Sequence, residues 1–134
     1  MGQAADAEVR VLVVDDQELY RRTMTTVVQE TPGFVVVGAV TTAEESLTTV
    51  AELHPQLVLM DVNLPGIDGI EASRRLTSEK GGPVVVLLST YEEDQFDTST
   101  CGAAAYVPKA AFGPECLEDT WAGVARSDTG TGGN

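Results

Sequence analysis

Acidic side chains follow two apolar runs of this sequence. Asp15 and Asp16 come directly after residues 11–14, and Asp61 comes directly after residues 57–60. Unbroken apolar runs of this kind are typical of strands that are buried on both faces of a parallel sheet. Ligands of open α/β sheets bind just beyond the carboxyl ends of the strands. We therefore expect three carboxylates to converge on one crevice.

Two further polar residues end later apolar runs. Ser89 follows residues 84–88, and Lys109 comes shortly after residues 103–107. Carboxylates that lie close together repel unless a cation joins them, and oxygen ligands of this kind suit Mg²⁺. The hydroxyl of Ser89 could donate a hydrogen bond to a phosphoryl group, and the ammonium of Lys109 could pair with its negative charge. The set predicts Asp61 as a nucleophile that forms an acyl phosphate, with Ser89 and Lys109 contacting the phosphoryl oxygens.

Each of these residues also has an ordinary explanation when it is taken singly. Asp15 and Asp16 could be a helix cap beside a solvated carboxylate, and Asp61 could accept hydrogen bonds from loop amides. Ser89 could be a plain hydroxyl at a strand end, and Lys109 could be solvated. The shared site is favoured because all of these features fall at the same end of the predicted sheet.

The rest of the chain alternates strands and helices five times. The predicted strands are residues 9–14, 34–40, 57–61, 84–88 and 103–107. Helical patterns follow each of them, and the fourth, within residues 92–101, is weak enough that we expect a short and mobile helix. Crossovers of this length produce a parallel sheet with helices on both faces.

Local signals place the helix ends. Asp16 is a candidate cap for a first helix that begins near Gln17, and Thr42 with Glu45 fits a capping box for the second. Pro114 suits the first turn of the last helix. The apolar face predicted for the first helix consists of Leu19, Thr23, Met24, Val27 and Val28.

Composition excludes several classes of function. The 134 residues suffice for one domain with a full core, and the net charge is −13 with eight scattered basic residues. Direct binding of nucleic acid needs clustered Lys and Arg, so this balance argues against it. No apolar run is long enough to cross a membrane, and residues 1–8 lack the features of a signal peptide. We expect a cytoplasmic protein in which Cys101 and Cys116 are reduced thiols.

Four stretches together resemble a known family. Residues 11–16, 58–69, 86–90 and 102–109 are similar to the corresponding motifs of the receiver domain of two-component response regulators. The resemblance covers residues 9–126 without a large gap. It leaves residues 1–8 as a flexible lead and residues 127–134 as a linker or tail.

The resemblance implies a flavodoxin-like (βα)5 doubly wound parallel sheet with strand order 2-1-3-4-5. It implies that Asp61 accepts a phosphoryl group from a sensor histidine kinase, and that Lys109 contacts this group. Mg²⁺ would be held by Asp15, Asp16, Asp61 and the backbone carbonyl of Asn63. Such a domain is a phosphoacceptor rather than a turnover enzyme.

The resemblance also implies a switch. Ser89 would move toward the phosphoryl oxygen while Tyr106 turns inward. This repacks the surface made by the fourth helix, the fifth strand and the last helix. Asn63 and Tyr91 fall at the positions where the family tunes the rate of dephosphorylation.

Residues 35–40 and 106–109 are similar to the LuxR/NarL-type branch of response regulators. Members of that branch usually carry a C-terminal helix-turn-helix domain that binds DNA. For this chain we consider a homodimer that forms on phosphorylation. Either such an output domain is missing from this sequence or the chain is a stand-alone receiver. The polar composition of residues 127–134 favours a linker to a missing domain.

Three alternatives stay open. A flavin-binding module of the same fold would need a small, phosphate-cradling loop where this chain has Asp15 and Asp16. A phosphohydrolase of the haloacid dehalogenase type would need an acid two residues after Asp61, where Asn63 stands. A pseudo-receiver would act as a phosphate-independent interaction module, although the residues of the acceptor site are all present.

Overall fold

The computed structural model describes residues 8–89 and 102–132. Its strands are β1 (Val9–Val14), β2 (Phe34–Val40), β3 (Leu57–Asp61), β4 (Val84–Ser89) and β5 (Ala105–Pro108). The helices of these residues are α1 (Glu18–Glu30), α2 (Ala43–Leu53), α3 (Gly69–Thr77) and α4 (Pro114–Gly132), with a 3₁₀ turn at Lys109–Ala111. The helix predicted within residues 92–101, together with Tyr91 and Cys101, lies outside the described residues.

The five strands form one sheet in the order β2-β1-β3-β4-β5, and every neighbouring pair is parallel. The predicted fold class and strand order are therefore confirmed. The register pairs Asp61 with Leu88 and Ser89 with Pro108. We call the side on which the strands end the carboxyl edge of the sheet, and the side on which they begin the amino edge.

Alternating side chains of the central strands fill two separate cores. Val11, Val13 and Leu59 belong to one cluster, which α1 and α4 cover with Met24, Val28 and Leu117. The opposite face carries the second cluster, to which α2 and α3 contribute. Its fully buried members include Leu12, Val14, Ala43, Val58, Met60, Ala72 and Leu87. Burial of each large side chain contributes about 1.5–3 kcal/mol to stability. Packing on both faces of the sheet therefore fixes the strands whose ends carry the carboxylates.

Helix α1 is turned differently from its predicted orientation. Leu19 is 73% exposed and Thr23 is exposed, whereas Met24, Val27 and Val28 are buried as expected. The buried stripe continues N-terminally through Tyr20, which is four residues before Met24 and therefore on the same helix face. The prediction for Leu19 and Thr23 was wrong because it extended the apolar face one residue too far around the helix.

Asp16 is not the cap of this helix. The capping position is Gln17, which makes no side-chain capping hydrogen bond, and the backbone N–H of Gln17 donates to Asp15 Oδ1 over 2.9 Å. Asp15 thus accepts a hydrogen bond from the residue that precedes the helix, and Asp16 stays exposed. The capping box of α2 is confirmed, with Glu45 N–H donating to Thr42 Oγ1 and Glu45 Oε1 accepting from the Thr41 N–H, each over 3.0 Å.

A glycine fixes the turn between β3 and α3. The Gly69 N–H donates to the Val62 carbonyl over 2.9 Å. A Cβ at this position would overlap the backbone carbonyl oxygen of Asp61. The close approach therefore requires glycine, and it ties the start of α3 to the backbone of the acidic residue that ends β3. Asp68 caps the helix by accepting from the Glu71 N–H over 2.9 Å.

The last two elements differ slightly from their predicted bounds. Strand β5 begins at Ala105 rather than at residue 103, after Gly102 has taken a left-handed backbone conformation. Helix α4 begins at Pro114 as predicted and runs to Gly132, so its backbone includes most of residues 127–134. The division into a lead, a receiver domain and a tail stays a prediction. Among the described helices, none combines the length and the apolarity that a membrane crossing requires.

Candidate functional site

Asp15 is the most deeply buried acid at the carboxyl edge. It follows β1 directly, it is fully buried, and its Oδ1 accepts from the Gln17 N–H. Its backbone carbonyl accepts a hydrogen bond from Arg21 of α1 over 3.0 Å. These contacts fix the loop between β1 and α1, so that the second carboxylate oxygen, Oδ2, points toward the neighbouring strands.

Asp61 ends β3 beside it. Only 4% of this residue is exposed, and its Oδ1 accepts from the Asn63 N–H over 3.2 Å. Asn63 itself is exposed. The other carboxylate oxygen, Oδ2, faces the same space as Asp15 Oδ2. The sheet register thus brings together two acids that are 46 positions apart in the chain.

Lys109 lies between the two acids. Its ammonium nitrogen is 2.7 Å from Asp15 Oδ2 and 3.5 Å from Asp61 Oδ2, and its side chain is only 6% exposed. Asp15 Oδ2 nevertheless makes no hydrogen bond of good geometry within the described residues. The contact is therefore a charge pair whose donor is not well aligned, and the buried oxygen keeps capacity for a second cation.

This environment perturbs Asp61. The pKa of Asp61 is raised to about 6, chiefly because the carboxyl group is buried, and the nearby negative charge of Asp15 contributes to this rise. The positive charge of Lys109 and the hydrogen bond from the Asn63 N–H act in the opposite direction. A carboxyl group that titrates near neutral pH and faces a buried ammonium is typical of a functional site.

Asp16 completes an acidic cluster with the two buried acids. One carboxylate oxygen from each of Asp15, Asp16 and Asp61 lies within 4.8 Å of the others. Three carboxylates outweigh the single ammonium of Lys109, and the available ligand atoms are hard oxygens. The residues present therefore fit a small divalent cation such as Mg²⁺, with the imperfectly paired Asp15 Oδ2 as one ligand atom.

The two predicted switch residues lie on the neighbouring strands. Ser89 ends β4 and is fully buried, one residue beyond Leu88, whose carbonyl accepts from the Val62 N–H over 2.9 Å. Tyr106 of β5 pairs with Leu87 in the register and packs against the second core cluster, with its hydroxyl oxygen buried. The structure thus brings Asp15, Asp16, Asp61, Ser89 and Lys109 to one edge and places Tyr106 beside them on β5. Tyr91 lies outside the described residues.

One residue of the site was not predicted. The ammonium of Lys109 lies 3.8 Å from the centre of the Tyr20 ring. Tyr20 belongs to the first turn of α1, and only its position four residues before the buried Met24 could have indicated that it points inward.

Comparisons with known proteins agree with this geometry. The family model described as the response regulator receiver domain matches residues 11–120, which is most of the chain. The chain belongs to the response regulator receiver family. The predicted family is thereby confirmed.

Relatives of this receiver domain are themselves response regulators. It is 45% identical over 105 residues to the response regulator GacA of Pseudomonas viridiflava, an alignment that covers 77% of this chain and 49% of GacA. The chain spans about half the length of the GacA relatives that it matches. The transcriptional regulatory protein LiaR of Bacillus subtilis is 29% identical over 82% of this chain and 53% of its own.

Solved structures show the same receiver fold. A two-component response regulator of the LuxR family from Aurantimonas superposes with a TM-score of 0.78 at 28% identity, covering 88% of this chain and 86% of that one. Solved structures of LuxR/NarL-type response regulators are thus among those similar to this receiver, as the short motifs indicated.

Proposed function

We propose that Asp61 accepts a phosphoryl group from the phosphohistidine of a sensor histidine kinase. The observation that carries this proposal is the ammonium of Lys109, buried between Asp15 Oδ2 at 2.7 Å and Asp61 Oδ2 at 3.5 Å. A buried positive charge beside a nucleophilic carboxylate suits an incoming group whose oxygens carry negative charge. The family to which the chain belongs supports the same role.

In the proposed step, a carboxylate oxygen of Asp61 attacks phosphorus. An O–P bond forms as the P–N bond to the imidazole breaks, and the electron pair of that bond leaves with the imidazole nitrogen. Asn63 N–H holds Asp61 Oδ1, which leaves Oδ2 on the open side of the carboxylate that faces Lys109. Lys109 would then pair with a phosphoryl oxygen, and Ser89 would donate a hydrogen bond to another.

Mg²⁺ would be held in this site by Asp15, Asp16, Asp61 and the backbone carbonyl of Asn63. Receiver domains in general use this ion, and the acidic cluster has the ligand chemistry for it. When bound, Mg²⁺ supplies positive charge that neutralises the phosphoryl oxygens as charge develops on them. The acyl phosphate is the end point of the step, so the domain acts as a phosphoacceptor and not as a turnover enzyme.

Ser89 and Tyr106 would couple phosphorylation of Asp61 to a conformational change at the surface. Ser89 is fully buried one strand away from Asp61, and Tyr106 is half-buried on the strand beyond it. Movement of the Ser89 hydroxyl toward the phosphoryl group would open space into which Tyr106 packs. This change would alter the surface formed by β5, α4 and the predicted helix within residues 92–101. Asn63 and Tyr91 would set the lifetime of the acyl phosphate.

The output of the whole protein is part of the proposal. The whole protein would control transcription in the cytoplasm through a C-terminal helix-turn-helix domain that binds DNA. Control of transcription is supported by the name of the relative LiaR, a transcriptional regulatory protein. The receiver itself carries eight basic residues against 21 acidic ones, which does not suit contact with DNA. Phosphorylation would promote a homodimer through the switched surface.

Intact-mass spectrometry after incubation with Mg²⁺ and acetyl phosphate or phosphoramidate tests this function. We expect one phosphoryl adduct that is labile in base and absent from Asp61→Asn. The matched control is Asp68→Asn, in the same loop, because Asn can replace Asp as a helix cap. Folded wild-type protein that gains no adduct from either donor would contradict the proposal and favour the pseudo-receiver.

A further inference from the structure

Three groups surround the ammonium of Lys109. Asp15 Oδ2 and Asp61 Oδ2 lie 2.7 and 3.5 Å away, and the centre of the Tyr20 ring lies 3.8 Å away. With only 6% of the side chain exposed, little water is left to solvate the charge. The ring therefore replaces part of the hydration that the ammonium has lost.

The ring holds the ammonium in a different way from the carboxylates. A carboxylate engages an N–H donor, whereas an aromatic face attracts the positive charge as a whole through its quadrupole. Lys109 thus keeps donors available for phosphoryl oxygens while it rests on Tyr20. Attraction to a ring face is also weakly directional, so the ammonium can shift from Asp15 toward Asp61 without losing the contact.

The position of the ring is set by the same loop that sets Asp15. Gln17 N–H donates to Asp15 Oδ1, and Arg21, the residue after Tyr20, donates to the Asp15 carbonyl. Arg21 N–H also donates to the Gln17 carbonyl over 2.9 Å as the helix begins. Tyr20 is therefore anchored in a fixed relation to one of the two acids that bind Lys109.

We propose that Tyr20 is a positioning residue for phosphoryl transfer, which acts by holding the Lys109 ammonium over its ring within reach of Asp61. This inference rests on the function proposed above. A lysine side chain has four rotatable bonds, so without the ring the strong pairing with Asp15 at 2.7 Å would dominate its position. The ammonium would then spend less time where a phosphoryl oxygen arrives.

The test compares Tyr20→Leu with Tyr20→Phe in the full chain. Leu removes the aromatic face, and Phe keeps the face while removing only the hydroxyl. With Mg²⁺ and acetyl phosphate, we expect Tyr20→Leu to gain the phosphoryl adduct about three- to tenfold more slowly than wild type. Tyr20→Phe should restore most of the rate. Tyr20→Met serves as a second non-aromatic variant if the Leu variant does not fold.

A spectroscopic measurement separates this role from a merely structural one. The chain has two lysines, so labelling lysine selectively gives two sets of ε-methylene proton signals, and exposed Lys80 provides the reference. Protons held over an aromatic face are shifted upfield. We expect the Lys109 signals to be upfield of those of Lys80 in wild type and Tyr20→Phe, and to approach them in Tyr20→Leu.

The outcomes distinguish the two proposals. Equal rates for the Leu and Phe variants, or Lys109 signals that do not respond to loss of the ring, would overturn the role of Tyr20. A wild-type protein that gains no adduct would overturn the proposed function and with it the effect of Tyr20 on transfer. In that case the proton signals would still decide whether the ring holds Lys109.

Discussion

The charged groups at the two edges of the sheet differ in how fully they are paired. At the amino edge, the guanidinium of Arg10 donates to the carbonyls of His54 at 2.6 Å and Leu53 at 2.5 Å, at the end of α2. Gln56 joins neighbouring strands, because its side-chain Oε1 accepts from the Arg10 N–H and its backbone carbonyl accepts from the Val84 N–H. Each of these contacts pairs a donor with an acceptor, so together they stabilise the fold.

The carboxyl edge has an excess of negative charge. Asp15, Asp16 and Asp61 share one ammonium, and one oxygen of Asp15 lacks a well-aligned donor. Burial of such a group costs stability that the molecule does not recover within this site. The polar contacts of the amino edge therefore stabilise the fold. The carboxyl edge instead keeps unpaired charge that suits a cation, through its carboxylates, and a negatively charged group, through Lys109.

Removal of Lys109 should have the largest effect. In Lys109→Ala the buried carboxylates lose their cation, so we expect the free energy of unfolding without metal to fall by about 3 kcal/mol at pH 7. The pKa of Asp61 should rise further because Lys109 now lowers it. Transfer from acetyl phosphate should slow by at least about tenfold. Denaturant titration and intact-mass kinetics measure these effects.

Lys80→Ala is the matched control, because Lys80 is exposed and lies near the amino edge, between α3 and β4. We expect it to change neither the stability nor the transfer rate. Equal effects of the two lysine variants would show that a lysine at the carboxyl edge matters no more to stability or transfer than one near the amino edge.

Asp61→Asn should have an intermediate effect on stability, with the opposite sign. Burial raises the pKa of Asp61 from 3.8 to about 6, so the folded protein keeps this proton where the unfolded chain has lost it. The contribution of Asp61 to stability therefore declines as pH rises from about 4 to about 6 and stays low above that. After discounting for solvent screening, we expect Asp61→Asn to stabilise the metal-free protein at pH 7 by about 1–2 kcal/mol.

Urea titrations at pH 4 and pH 7 in the presence of EDTA measure this difference. The gain from Asp61→Asn should be present at pH 7 and nearly absent at pH 4. A variant that is less stable than wild type at pH 7 would contradict the raised pKa.

Arg10→Met should have the smallest effect and should be confined to stability. The substitution keeps the apolar stem but removes the donors to the Leu53 and His54 carbonyls, which should cost about 1 kcal/mol of unfolding free energy. Phosphoryl transfer should be unchanged. The control is Arg22→Met, whose pair with Glu18 is 3.7 Å long and well exposed, and which should leave stability unaltered. A slower transfer in Arg10→Met would show that the two edges are coupled.

Much of the fold was predictable because apolar runs define buried strands directly. The predicted bounds of β1, β2 and β3 match the structure, and Asp15, Asp61 and Lys109 were predicted to meet because parallel strands end at one edge. The strand order came from the family resemblance rather than from the hydrophobic pattern.

The errors concern the orientation of the first turn of α1. An apolar stripe through Leu19 and one through Tyr20 differ by a single residue in the sequence. A tyrosine suits either an inward or an exposed position, so its residue type does not decide between them. Which of them points inward is decided by tertiary contacts: the ammonium of Lys109 lies over Tyr20, some 89 positions away in the chain. The capping role assigned to Asp16 was also wrong, because the helix begins at Glu18 and its capping position is Gln17.

Mapping of the phosphoryl group to a residue tests the central claim most directly. The protein is incubated with Mg²⁺ and acetyl phosphate, the acyl phosphate is reduced with borohydride to a stable alcohol, and the modified position is read by tandem mass spectrometry. We expect one modified residue, Asp61. Modification of Asp15 or Asp16 in its place, with Asp61 intact, would contradict it.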